Sequence, residues 1–130
     1  MASSWRQVLA DCDRLYRESD FARAVEGYTH LLCLLQDTPL TAQRALTFNN
    51  RGHAKYMMVD FYAANEDFDE AIKLDPTLAV AYYNRGTIQY RMGEFQLALQ
   101  DFKMSTKLEP SNAEFSEGLA SCEDCLGLAK

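Results

Sequence analysis

A chain of 130 residues that is 48% hydrophobic and 25% charged can bury a core of its own and is too apolar to stay disordered. A formal net charge of −6 excludes an electrostatic nucleic-acid binder, because that affinity comes from basic side chains neutralising phosphates. Three prolines and six glycines supply too few turns for many hairpins, which points away from all-β folds.

From the N-terminus, residues 1–20 carry charge throughout and contain no apolar stretch of signal-peptide length. A first helix is predicted over residues 4–18, with Val8, Cys12, Leu15 and Tyr16 facing inward. A second, over residues 20–32, carries Phe21, Ala24, Tyr28 and Leu31 on its inner stripe. The run "LLCLL" at 31–35 is far too short to span a bilayer. Next, "QDTPLTAQR" at 36–44 interrupts the pattern: Thr38 and Pro39 read as a turn, and Thr38 or Thr41 as the cap of an extended third helix.

From there the chain repeats itself at an interval of 34 residues. Phe48, Asn50, Arg51, Gly52 and Tyr56 recur as Tyr82, Asn84, Arg85, Gly86 and Tyr90. Phe61, Ala64, Asp67, Phe68, Leu74 and Pro76 recur as Phe95, Ala98, Asp101, Phe102, Leu108 and Pro110. Within each copy Phe48, Gly52 and Tyr56 stack on one helix face, and Phe61, Ala64 and Phe68 form the facing stripe of the next helix. The small Gly52 and Ala64 are expected to let the two backbones approach. "KLDP" and "KLEP" close each unit, since proline cannot continue a helix. After Pro110 a last helix is predicted over 113–128, capped by Ser111 or Asn112, with Phe115, Leu119, Cys122 and Leu126 on its apolar stripe.

A helical hairpin repeated at this period resembles the tetratricopeptide repeat (TPR) family. The family's large residue, Gly, aromatic, Ala, aromatic, Ala and Pro fall on Phe48, Gly52, Tyr56, Ala64, Phe68, Ala71 and Pro76. In the next copy they fall on Tyr82, Gly86, Tyr90, Ala98, Phe102, Ser105 and Pro110, where Ser105 departs from the pattern. The resemblance implies an all-α solenoid of three TPR helical hairpins plus a C-terminal capping helix, about seven helices in a right-handed superhelix. The expected organisation is one domain over 1–130: a degenerate repeat at 4–36, an insertion at 37–44, repeats at 45–78 and 79–112, and the cap.

No reaction chemistry is legible, so the expectation is a protein that is not an enzyme. The two histidines, His30 and His53, fall on helices of different repeats without a nucleophile beside them. Cys122 and Cys125 are spaced as CxxC, but Glu123 and Asp124 between them raise thiol pKa values, and no second pair completes a zinc site. Cys122 is expected to pack inward and Cys125 to be incidental. The acids of "NEDFDEA" read as a solvated helix face. No metal and no cofactor are expected, and four irregularly spaced cysteines without an export signal fit a reducing cytoplasm or nucleus.

Function is then expected from the surface that the fold makes. The resemblance implies a concave groove lined by the first helix of each hairpin. Carried onto this chain, its candidates are Asn49, Asn50, His53 and Met57, then Tyr83, Asn84, Thr87 and Arg91, with Arg6, Leu9, Asp13 and Arg17 from the first repeat. Asn50 and Asn84 are the amides best placed to pair with a peptide backbone, while Arg51 and Arg85 are expected to brace the fold against Asp67 or Asp101. Some family members grip acidic chaperone tails through a carboxylate clamp of Lys and Asn, Asn, and Lys and Arg from three successive repeats. Here those places hold Leu9, Asp13, Asn50, Val80 and Asn84, or, one repeat later, Asn49, His53, Asn84, Glu114 and Gly118, so the clamp's cations are missing. The expected function is an adaptor for a protein or peptide partner, acting as a monomer or weak homodimer, with no nucleic acid and no membrane as partner. The alternative is a structural subunit that assembles through its convex face or its capping helix.

Overall fold

Ser4 starts the first helix by accepting the N–H of Arg6 on its hydroxyl at 3.2 Å, which satisfies one of the donors that a helix start leaves open. From there the computed structural model, which describes residues 4–128, runs through seven helices and, among the described residues, no strand. They are α1 (Trp5–Arg17), α2 (Phe21–Leu35), α3 (Thr41–Met57), α4 (Phe61–Leu74), α5 (Ala79–Arg91), α6 (Phe95–Leu108) and α7 (Ala113–Cys125). The outer limits of the expected 1–130 domain lie outside the described residues. The chain divides after Asp75 into two compact units, the first holding α1 to α4 and the second α5 to α7.

Two caps follow from sequence chemistry. Asp20 accepts the N–H of Arg23 at 3.4 Å at the start of α2, and Asn112 accepts that of Phe115 at 3.2 Å at the start of α7. Between α2 and α3 the expectation fails. Leu40 holds the N-cap position of α3 with no side-chain cap, so neither Thr38 nor Thr41 serves there. Thr38 instead donates its hydroxyl to Leu35 O at 2.7 Å and accepts the N–H of Leu40 at 3.3 Å, spending its side chain on closing the turn. At the other end α7 stops at Cys125, three residues short of the expected limit, where Gly127 takes a left-handed φ of 72°.

In the first unit, α1 and α2 form one hairpin and α3 and α4 a second, with α2 also packed on α3. The buried set Cys12, Ala24, Tyr28, Leu31, Leu35 and Ala54 gathers Val8, Leu9, Leu15 and Phe21 around it. Each large apolar side chain taken out of water contributes about 1.5–3 kcal/mol. In the second unit α6 lies between α5 and α7, and Ala98, Leu99, Phe102 and Cys122 form the core with Tyr83, Tyr90, Phe95, Leu119 and Leu126 against it.

Gly52 admits an aromatic ring rather than a second backbone. A Cβ there would lie 2.8 Å from Phe68 Cε1 and 3.0 Å from Asp67 Cβ, so Phe68, not Ala64, occupies the space that the glycine leaves. Gly86 repeats the arrangement, with Phe102 Cε1 at 3.0 Å. Beside each ring sits an ion pair. Arg51 donates Nε and Nη2 to the two carboxylate oxygens of Asp67 at 2.8 and 2.7 Å, and Arg85 does the same to Asp101 at 2.8 Å for both bonds. These parallel contacts use the guanidinium as a planar fork that lysine could not supply. Lys55 adds a third contact to Asp67 at 3.0 Å.

The first hairpin solves the same packing problem the other way round. Cys12 stands where the second hairpin has Gly52, and Gly27 stands where that hairpin has Asp67. A Cβ on Gly27 would meet Cys12 Sγ at 2.7 Å, so the missing side chain has moved from the first helix to the second. With the carboxylate gone from that place, Asp13 takes over as acceptor, receiving the hydroxyl of buried Tyr28 at 2.6 Å.

Two measurements check this packing. Gly27→Ala should lower stability by about 1–3 kcal/mol through overpacking, and most of that loss should vanish in a Cys12→Ala background, because the clashing sulfur is gone. Additive urea-denaturation effects would refute the pairing. Asp67→Ala, which strands the two cations that Asp67 neutralises, should lower the unfolding free energy by about 3 kcal/mol. A loss below about 1 kcal/mol would reduce the pair to an ordinary surface contact.

Candidate functional site

The expected groove residues divide between the units: Arg17, Asn49, Asn50 and His53 lie in the first, Tyr83, Asn84, Thr87 and Arg91 in the second. In the first unit the tertiary structure turns most of them to internal work. Asn49 is only 5% exposed, and Asn50 is half-buried. The Nδ1 of His53 shares a hydrogen bond with the hydroxyl of Tyr16, and its ring lies 5.7 Å from those of both Tyr16 and Tyr56. His53 therefore ties α3 to α1. Arg17 stays exposed in the last turn of α1. Asp13, in the first of the two clamp frames, is engaged by Tyr28.

The second unit brings three of its four candidates together. Tyr83, Thr87 and Arg91 fall one turn apart on α5 and line one cleft of about 520 Å³. Asn84, at 9% exposure, lies in the interior and is not part of the lining. Phe95 and Phe102 come from α6, Gly118 and Ser121 from α7, and Tyr90 from α5. The walls are aromatic and held by their own contacts. Tyr83 stacks on Phe115 at 4.9 Å between centroids and tilts against Phe102 at 5.6 Å, while Tyr90 meets Phe95 edge-on at 5.2 Å. Thr87 donates its hydroxyl back to Tyr83 O at 2.9 Å.

The cleft exists because α7 packs chiefly on α6 and only lightly on α5. Gly118 governs how close that approach can be: a Cβ there would stand 3.1 Å from Tyr83 Cε1 and 3.3 Å from Phe102 Cε1. Gly118, Ser121, Tyr90, Phe95 and Phe102 were not singled out as site residues from the sequence. The available signal was the spacing of three between Gly118 and Ser121, which places two small residues on one stripe of an otherwise acidic helix.

The thiols belong to this unit's packing. Cys122 is fully buried and donates its S–H to Phe95 O at 3.2 Å, while Cys125 is exposed with its sulfur 3.2 Å from the hydroxyl of Tyr90. Burial pushes the Cys122 thiol above its ordinary pKa, with Cys125 and Glu123 adding to the shift. In the first unit, burial raises Cys12 to about 11, with help from Asp13 and Asp11. No group of three or more His, Cys, Asp or Glu among the described residues is placed to hold a metal ion. No helix there is long and apolar enough to cross a membrane.

Residues 79–112 match the family model described as tetratricopeptide repeat. The first TPR of Spaghetti (RPAP3), solved with the HSP90 peptide SRMEEVD, is similar to this chain at a TM-score of 0.83 and 20% identity, covering 95% of this chain and 93% of that one. The second TPR domain of human RPAP3, solved with the HSP70 peptide SGPTIEEVD, gives a TM-score of 0.78 at 27% identity, with 89% and 92% covered. The TPR2B domain of yeast Sti1 in its pHsp70 complex gives 0.80 at 22% identity, with 93% and 97% covered. The chain thus has the TPR fold, an all-α solenoid of helical hairpins of the kind that serves as a protein-interaction scaffold. Residues 79–112 are a tetratricopeptide repeat within it.

The burial pattern sets the reactivity of the thiols. At pH 8 a thiol reagent should label Cys33 and Cys125 in the folded chain and all four cysteines after unfolding. Rapid labelling of four in the native state would contradict the burial of Cys12 and Cys122. The Cys12 pKa lies above its unfolded value of 9.0, so the unfolded thiol ionises first and stability should fall as pH rises from about 9 towards 11. A flat stability profile over that window would remove the burial effect.

Proposed function

We propose that this chain is a non-enzymatic adaptor of the cytosol or nucleus that holds a segment of a partner protein against the second unit. The observation that carries this reading is the aromatic cleft of about 520 Å³ between α5, α6 and α7. A concave site with apolar walls and a few polar groups on its rim is the usual form of a binding site. Tyr83, Tyr90, Phe95 and Phe102 provide the apolar contact; Thr87, Ser121 and Arg91 provide the rim. Further support comes from the similar structures, three of which were solved as complexes with chaperone peptides.

Recognition here does not use a carboxylate clamp. The places for the clamp's cations hold Leu9, Val80 and Asn84 in one frame and Asn49, Glu114 and Gly118 in the other. Three of these are apolar, two are buried amides and one is a carboxylate. A peptide ending in several carboxylates would find no paired lysine and arginine in either frame. Within the family, the "NNRG" and "VDFY" stretches and the interrupted first repeat resemble tetratricopeptide repeat protein 32, a small vertebrate protein.

Blocking the cleft tests the reading. Ser121→Trp puts an indole into the cleft from an exposed position on α7, and circular dichroism reports whether the helices survive. Proteins captured by the wild-type chain should be reduced at least tenfold on the folded variant, as read by quantitative mass spectrometry. An unchanged set of captured proteins would move the binding surface elsewhere.

A further inference from the structure

The stripe of α7 that lines the cleft is continuous with three carboxylates. Glu114 lies four residues before Gly118, Glu117 four before Ser121, and Asp124 three after Ser121, so each shares a helix face with a lining residue. All three are exposed, and α7 contains no lysine or arginine to offset them. None of them takes part in the salt bridges of the described residues. The remaining acid of the helix, Glu123, falls on another face. Facing this rim, the lining residues offer one cation, Arg91, and otherwise neutral groups.

One of these carboxylates also acts on the cleft itself. The Tyr90 phenol is held above its ordinary pKa, first by its hydrogen bond with Cys125 and then by desolvation, and Asp124 adds to the shift. An acidic segment laid along α7 would meet like charge, which costs affinity and slows encounter, whereas a basic one would be drawn in.

We propose that the segment bound in this cleft inserts one large apolar side chain and carries basic residues on the side that meets α7. This rests on the cleft reading above and adds the charge of the partner. The occupant is therefore a lysine- or arginine-bearing stretch of another protein, with Glu114, Glu117 and Asp124 pairing with its cations. Three exposed pairs together should be worth on the order of tenfold in affinity at low salt.

Selection from a random 12-residue phage library on the full chain, counter-selected against Ser121→Trp, gives both answers. The expected peptides carry one Leu, Met, Phe or Trp with Lys or Arg within four positions. Their affinity should drop about tenfold on the triple variant E114K/E117K/D124K, and a peptide with its basic residues changed to Glu should regain affinity for that variant. E117K alone, at an exposed mid-helix position, provides the same readout should the triple variant lose helicity. Acid-flanked selected peptides, or affinity indifferent to both charge variants, would overturn the charge inference and leave the cleft standing. Failure to select any peptide that discriminates against Ser121→Trp would overturn the cleft reading and this inference together.

Discussion

In the second and third hairpins an arginine on the first helix closes a two-point bond on an aspartate of the second, and the close packing of both hairpins rests on it. Arg51 and Asp67 make this bond in one, Arg85 and Asp101 in the other. A carboxylate as buried as Asp67, at 2% exposure, is tolerable only where its charge and lone pairs are fully met. The fork meets both oxygens, fixes the register of the two helices, and holds the aspartate beside the ring that fills the glycine's place. The aromatic and the glycine beside it belong to the same packed arrangement. The recurrence of the whole stretch is therefore a recurrence of one packing solution.

The first hairpin obeys the same constraint with different residues. Two helices at this separation leave room for a large group on one side only, and the second and third hairpins keep the first helix small. The first hairpin keeps the second helix small, with Gly27 opposite Cys12. Once Asp67's counterpart is a glycine, no carboxylate remains there for an arginine to clamp, and polar pairing shifts to Tyr28 and Asp13. What reads as decay in a repeat alignment is a reciprocal exchange of volume. Packing density fixes the sum of the two side chains and leaves their division open.

The cleft in the second unit owes its shape to α7. It packs on α6 much as α3 packs on α2, the second helix of the hairpin before it. The helix settles mainly on α6, with Leu119 and Cys122 in the shared core, while Phe115 stacks on Tyr83 of α5 and Gly118 lets the helix close over that ring without filling the space beyond. The aromatic rings left along that space rest on one another in tilted and edge-on contacts, so the core sets their orientation. Preformed walls lose little entropy on binding. With its acids turned outward beside the same space, α7 serves as both lid of the core and wall of the cleft.

The sequence by itself determined the helical class, the hairpin unit and the partners of Arg51 and Arg85, because these depend on spacing within a helix and on repetition. Period and side-chain volume are local quantities. Which groove candidates lie exposed was less legible, since Asn49 and Asn84 share the helix-face spacing of the other candidates yet are buried, and His53 is engaged with Tyr16. Periodicity gives the direction of a side chain from its own helix, but not which neighbouring helix covers it. Only the tertiary structure decided that Thr38 closes a turn rather than capping α3, that Gly27 answers Cys12, and that α7 leaves a cleft against Tyr83 and Tyr90. Each of these depends on the distance between two helices, a quantity fixed by how both pack and written in neither alone.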